Sequence, residues 1–208
     1  MSTNSNSTDA EGPYPFLSQV AEIRRRTRRH IEDVGSTTEA SPLQVLQLLN
    51  EALATELICV SRYQNHPAGG GGALAEPVRG ELLRHAREEQ SHADQLAERI
   101  IELGGRPVSQ ARAPLPASNV PAEELDAEAI VDLLEEDLIA ERIAIDAYRE
   151  IVQFVGEQDP RTRELLEAIL AVEVAHAQEL SSMRSEMLRQ DRLIGSSTRL
   201  ARLDSQCA

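Results

Sequence analysis

Two stretches of this chain place a carboxylate and an imidazole three residues apart, Glu89-x-x-His92 and Glu173-x-x-His176. Residues at that spacing on an α-helix share a face, so each pair would present both groups side by side. Either pair alone is a weak signal, because short motifs recur by chance. Two further glutamates add weight. Glu56 interrupts the apolar series Val45, Leu49, Ala52, Leu53, Val60, Tyr63, and Glu141 interrupts Ile130, Leu134, Leu138, Ile145, Tyr148, Val152. The two pairs sit likewise within Leu82, Ala86, Leu96, Ile100 and within Leu166, Ile169, Leu170, Leu180, Met183. Four carboxylates and two imidazoles are thus aimed at a core whose stripes contain no Lys or Arg. An unpaired buried carboxylate is very costly, so the set requires metal cations. Mixed oxygen and nitrogen donors suit iron, admit manganese and leave zinc as a substitute.

The elements that must position these groups are helices. Ser41 is a good N-cap and Pro42 fits the first helical position, opening a helix over about 42–66 that Pro67 and Gly69–Gly72 end. The spacing predicts further helices over 76–103, 122–155 and 160–190, punctuated by Gly104–Gly105, by a Pro-rich stretch with Pro107, Pro114, Pro116 and Pro121, and by Gly156. Short first and third connections with a long second one describe an all-α bundle of two helix pairs joined by a crossover. The ligand candidates repeat across the halves, 33 residues from Glu56 to Glu89 and 32 from Glu141 to Glu173. Phe16, Leu17, Val20 and Ile23 have helical spacing, so a short extra helix precedes a Ser36–Ala40 linker. The expected division is a partly helical or disordered extension over 1–40, the bundle over 41–190, and a flexible tail over 191–208.

Composition agrees. Aromatics are 2% of the chain against 41% hydrophobic residues, so Ala, Leu, Ile and Val build the core. A net charge of −14 argues against general nucleic-acid binding and suits a protein that handles cations. Cys59 and Cys207 form no disulfide framework; Cys59 reads as a small core residue. No apolar stretch approaches the roughly 18 residues of a membrane span. The first twelve residues lack the pattern of a secretory signal, which makes the cytoplasm the expected compartment.

The segment Glu56-Leu-Ile-Cys-Val-Ser-Arg-Tyr63-Gln-Asn-His66 resembles the first helix of the bacterioferritin family. His92-Ala-Asp94-Gln-Leu-Ala-Glu98-Arg99-Ile100, with Leu103-Gly104-Gly105-Arg-Pro107, resembles its second helix and following turn. Asp137-Leu-x-x-Glu141 and Glu173-x-x-His176 complete a match over about residues 42–190. The resemblance implies a ferritin-like four-helix bundle and a ferroxidase, in which two Fe(II) per subunit give electrons to O₂ and become Fe(III). By the same resemblance Glu56 with His92 would hold one iron, Glu141 with His176 the other, and Glu89 and Glu173 would bridge them. Tyr63 would hydrogen-bond near the site. The family's haem is held by a Met directly after the second-helix Glu; Gln90 stands there, so no haem is expected. A homo-oligomer is implied.

Other polar residues read more plainly. His85, one turn before Glu89, faces the site's cavity, with extra ligation the alternative. His66 reads as a helix-end charge or cap, with an iron-related role the alternative, His30 as solvated, and Asp137 as either a support for the site or a rim charge. The run Arg24, Arg25, Arg26, Arg28, Arg29 reads as a solvated face, with a contact to DNA or an acidic partner as the alternative. Leu193-Ile194-Gly195-Ser196 faintly resembles peptides that load cargo into encapsulin shells. Two competing functions are a rubrerythrin-like oxidase or peroxidase acting with O₂ or H₂O₂, and a DNA-protecting starvation-type shell. The absence of a Cys-x-x-Cys pair disfavours the first, and the intrachain ligand set disfavours the second.

Overall fold

The computed structural model describes residues 15–32, 41–65, 75–109 and 127–204, and beyond residue 190 the backbone alone. Among the described residues there are five helices and no strand: α1 (Pro15–Glu32), α2 (Pro42–Asn65), α3 (Ala75–Glu102), α4 (Ala127–Val155) and α5 (Pro160–Asp204). The last runs past the expected end near residue 190 and takes in residues 193–196. The Ser36–Ala40 linker, His66, the Gly69–Gly72 turn, the Pro-rich stretch from residue 110 and Cys207 lie outside the described residues.

Local chemistry sets the helix ends. Ser41 and Gln44 make a capping box, with the Ser41 N–H donating to Gln44 Oε1 (2.9 Å) and the Gln44 N–H to Ser41 Oγ (3.4 Å). Asp159 caps α5 by accepting from the Thr162 N–H (3.1 Å), with Pro160 at the first helical position. Gly104, at φ 77°, closes α3 through a paired motif, Gly104 N–H to Ile101 O (2.9 Å) and Gly105 N–H to Ile100 O (2.8 Å). At Gly105 a Cβ would stand 2.4 Å from Leu46 Cδ2, so glycine there lets the end of α3 dock on the start of α2.

Helix α2 packs along α3 and α4 along α5, with looser α2–α4 and α3–α5 sides. Two apolar clusters lie at opposite ends. One joins Val45, Leu48 and Leu49 to Leu96 and Ile100, to Ile151 and Val155, and to Leu166 and Ile169. The other joins Cys59 and Tyr63 to Val78 and Leu82, to Ile130 and Leu134, and to Leu180 and Met187. The start of α2 therefore meets the end of α4, and the end of α3 lies at the far end of the bundle from the start of α4. The described ends of α3 and α4 thus lie at opposite ends of the bundle, the arrangement of a ferritin-like fold with one crossover.

Helix α1 lies over α2 and α4. Phe16 and Val20 pack with Ala140, Ile58 and Ile143. The arginine run is more than a solvated face: Arg24 bonds Glu150 through both terminal nitrogens, and Arg26 holds Glu51 at 2.6–3.1 Å. Arg25 and Arg29 pair with Glu22 on their own helix. Helix α2 departs from a second expectation. It is long and apolar enough to cross a membrane by length and composition, yet half of that apolar window is buried in the bundle and it carries the buried Glu56.

Candidate metal centre

Between the two apolar clusters lies a polar layer. One position each on α2 and α4 and one i,i+3 pair each on α3 and α5 bring Glu56, Glu141, Glu89, His92, Glu173 and His176 inward. The four glutamates are at most 1% exposed, His176 1% and His92 5%.

The imidazoles sort the carboxylates into two groups. His92 Nδ1 lies 2.8 Å from Glu173 Oε1, 3.3 Å from Glu56 Oε2 and 3.4 Å from Glu89 Oε2. His176 Nδ1 lies 3.0 Å from Glu89 Oε1, 3.8 Å from Glu173 Oε2 and 3.9 Å from Glu141 Oε1. Glu56, Glu89, His92 and Glu173 can bring ligand atoms within 4.8 Å of one another, and so can Glu89, Glu141, Glu173 and His176. Glu89 and Glu173 belong to both groups. The six residues sit in one chain as two overlapping four-donor sets.

The donors fit cations. Oε2 of Glu89 and Oε2 of Glu141 are buried with no hydrogen-bond partner. Among the described residues no arginine forms an ion pair with any of the four glutamates. Burial, and then the neighbouring Glu173, push Glu89 and Glu141 well above the ordinary carboxylate range. Glu173 is opposed by burial too, but hydrogen bonds from His176 and His92 hold it at about 2. Burial disfavours imidazolium, yet the surrounding glutamates, Glu173 first, raise His92 to about 12 and His176 to about 9. Without metal, the cluster holds itself together with protons.

Two phenols bind the layer crosswise. Tyr63 on α2 donates to Glu141 Oε1 on α4, and Tyr148 on α4 donates to Glu56 Oε1 on α2. Both stay protonated, since burial and then the accepting glutamate raise each phenol well above its usual value. The family resemblance put Tyr63 near the site without fixing its partner, and the sequence left Tyr148 in the core stripe. The signal was present, because each tyrosine follows its glutamate by seven residues. Glu88 was also missed; its Oε2 lies 2.7 Å from His176 Nε2 and holds the ring with Nδ1 inward. Nothing in the spacing marks it, since the contact crosses from α3 to α5.

The other polar residues singled out by the sequence take defined places. Asp137 is buried and accepts from Arg62 Nε at 3.0 Å, while that guanidinium lies over the Phe16 ring at 4.6 Å; it supports the α1 contact. His30 lies 3.7 Å from Glu51. Gln90 bonds Asp94 along its own helix (2.9 Å). Cys59 is buried as a free thiol. His85 is fully buried and stacks on His176, ring centroids 4.0 Å apart.

A four-helix bundle with one crossover and a buried layer of glutamates and histidines at mid-height defines a ferritin-like carboxylate protein. The chain belongs to the ferritin-like domain family, whose model matches residues 46–189. It is 33% identical over 154 residues to a DNA protection during starvation protein of Pyrococcus furiosus, covering 72% of this chain and 79% of that one. It is 31% identical over 148 residues to the bacterioferritin of Desulfovibrio desulfuricans, covering 69% and 75%. The solved structure of that bacterioferritin, described with a diiron site, matches with a TM-score of 0.59 at 27% identity over 71% of this chain and 82% of that one. A dodecameric thioferritin, the bacterioferritin-related protein of Bacteroides fragilis, matches with a TM-score of 0.62 at 28% identity over 84% and 97%. The resemblance to bacterioferritins read from the helix segments is borne out.

Proposed function

We propose that this protein is a ferroxidase that takes up two Fe(II) per chain, oxidises them with O₂ and assembles into a homo-oligomer for iron storage or detoxification. The observation that carries the reading is the sharing of Glu89 and Glu173 between two buried four-donor sets within one chain. Glu56 with His92 and Glu141 with His176 would hold the separate ends of the iron pair, and Glu89 and Glu173 would bridge it. The chemistry supplied by the bound substrate is electron donation, one electron from each Fe(II) to oxygen. The chain's own residues bind and orient. Tyr63 and Tyr148 fix the end carboxylates, Glu88 fixes the His176 ring, and the apolar clusters above and below exclude water.

A diiron site in the D. desulfuricans relative and a dodecameric assembly in the B. fragilis neighbour support the metal and the oligomer respectively. A DNA-protecting role has one relative's name behind it, but the arginine run that would meet DNA is engaged with Glu22, Glu51 and Glu150. Aerobic Fe(II) addition should give rapid ferric absorbance, and Glu56→Ala or Glu141→Ala should slow it sharply. Unchanged rates in both variants would remove the site assignment. Light scattering after size exclusion should show a large hollow oligomer, whereas a dimer would favour the rubrerythrin-like oxidase or peroxidase reading.

A further inference from the structure

The donors of the metal centre are matched between the halves of the chain. Glu56 corresponds to Glu141, Tyr63 to Tyr148, Glu89 to Glu173 and His92 to His176, and each phenol bonds across to the other half's end carboxylate. With donors and phenols alike, any difference between the two metal positions must come from the groups behind the histidines.

Those groups differ. Nδ1 of each imidazole faces the glutamates, so the outer nitrogen, Nε2, is the one left to fix the ring. His176 Nε2 donates to Glu88 Oε2 at 2.7 Å. Glu88 is itself held, because Arg84 Nη1 bonds both of its oxygens, at 2.9 and 2.7 Å. The His85 ring stacks on the His176 ring with centroids 4.0 Å apart, and His85 Nε2 lies 2.9 Å from Glu179 Oε2. His176 is therefore gripped at its outer nitrogen and across its face. His92 has neither support. Among the described residues no carboxylate meets its Nε2, and every ion pair it makes runs through Nδ1 to a glutamate of the donor set.

The internal repeat explains the asymmetry. Glu88 directly precedes Glu89, whereas the residue directly before Glu173 is Val172, whose side chain accepts no hydrogen bond. His85 lies one turn before Glu89, where the second half has Ile169, and the counterpart of Arg84 is Ala168. Halves that agree at every ligand disagree at all three supporting positions. A carboxylate behind a metal-bound imidazole fixes its tautomer, aims the inner lone pair and strengthens it as a donor, an effect of about 10–100-fold in metal affinity. A ring without that support must also be ordered when the ion arrives, at a cost in side-chain entropy.

We propose that the two metal positions fill in order, the Glu141–His176 position first and the Glu56–His92 position second, with Glu88 as the positioning residue that sets the order. The inference rests on the two-metal reading of the cluster and adds which ion is resident and which exchanges. A chain holding only the first ion waits for the second, so the Fe(II) concentration at which oxidation begins is set at the His92 position.

Anaerobic Co(II) binding to the full-length protein, followed by equilibrium dialysis and by the visible spectrum, tests the order without turnover. Native protein should bind two Co(II) per chain, the first about tenfold or more tighter than the second. His92→Ala should keep the tight ion, and His176→Ala only a weak one. Glu88→Ala should still bind two ions but lose the gap, the first weakening by about 10–100-fold and the second unchanged. In a His176→Ala background the same substitution should alter nothing, a null that a general structural role would not produce. Glu88→Gln, whose amide oxygen can still accept from Nε2–H, should recover part of the lost affinity. Two Co(II) of equal affinity in native protein, loss of the tight ion in His92→Ala, or equal weakening of both ions in Glu88→Ala would overturn the proposal and leave the two-metal centre standing. Fewer than two Co(II) at saturation in native protein would instead remove the two-metal reading itself. Circular dichroism of each variant is the folding control.

Discussion

Replacing Glu141 by Gln should make the metal-free protein more stable and the metal-loaded protein less so. Glu141 is fully buried; its Oε1 accepts from Tyr63 and its Oε2 meets no donor. Burial, and then Glu173 beside it, raise its pKa well above the ordinary 4.5. Glutamine keeps the shape and the acceptor for Tyr63, and its NH₂ has the ionised Glu173 as a neighbour within the same donor group. Removing an unsatisfied buried group of this kind recovers about 1–3 kcal/mol. At about 2–4 °C per kcal/mol for a chain of this size, the midpoint should rise by roughly 2–12 °C. The sign follows from linkage. An acid whose folded pKa is raised adds its destabilisation only as pH climbs above the unfolded value, so the variant's advantage is smallest near pH 4.5 and grows as pH rises from there toward the raised folded pKa. Co(II) should reverse the order, because ligand at a hundred times its Kd stabilises the native protein by about 2.7 kcal/mol per site and the variant has lost one carboxylate ligand. Thermal unfolding by circular dichroism, with EDTA and with Co(II), reads both arms. A metal-free Glu141→Gln protein less stable than native at pH 8, or equal Co(II) stabilisation of the two, would refute the reasoning.

Three further outcomes follow from the same geometry. Tyr148→Phe removes the phenol that fixes Glu56 and should slow Fe(II) oxidation or weaken metal uptake by about 10–100-fold, the usual effect of losing a group that orients a ligand; stopped-flow absorbance checks it. Since the glutamates keep His92 and His176 protonated at pH 7 and each metal needs an Nδ1 lone pair, filling the pair should expel at least two protons per chain. Calorimetric titration of Co(II) in buffers of different ionisation enthalpy counts them. Asp159→Ala removes the cap of α5 and the partner of Arg99 (2.9 Å), which should lower stability by about 0.5–2 kcal/mol with metal stoichiometry unchanged.

The sequence by itself determined the helices, their caps and the inward positions of six ligand candidates, because these depend on neighbours within a few residues. A 3.6-residue period places Glu56 and Glu141 on the apolar faces of their helices, and a Gly pair after Leu103 ends α3, whatever the rest of the chain does. Tyr148 was within reach of the same reasoning through its seven-residue offset from Glu141. Other features have no local signature. That Tyr63 serves Glu141 rather than its own helix's Glu56, that Glu88 holds His176, and that Glu179 meets His85 are contacts between residues 78–94 positions apart. Arg24 and Arg26 look solvated along one helix and become clamps only when α4 and α2 bring Glu150 and Glu51 beside them. Helix α2 by composition alone could cross a bilayer; packing against α1, α3 and α4 buries that apolar face in protein instead. Backbone periodicity fixes which way a side chain points, and only the packing of distant helices fixes what it meets.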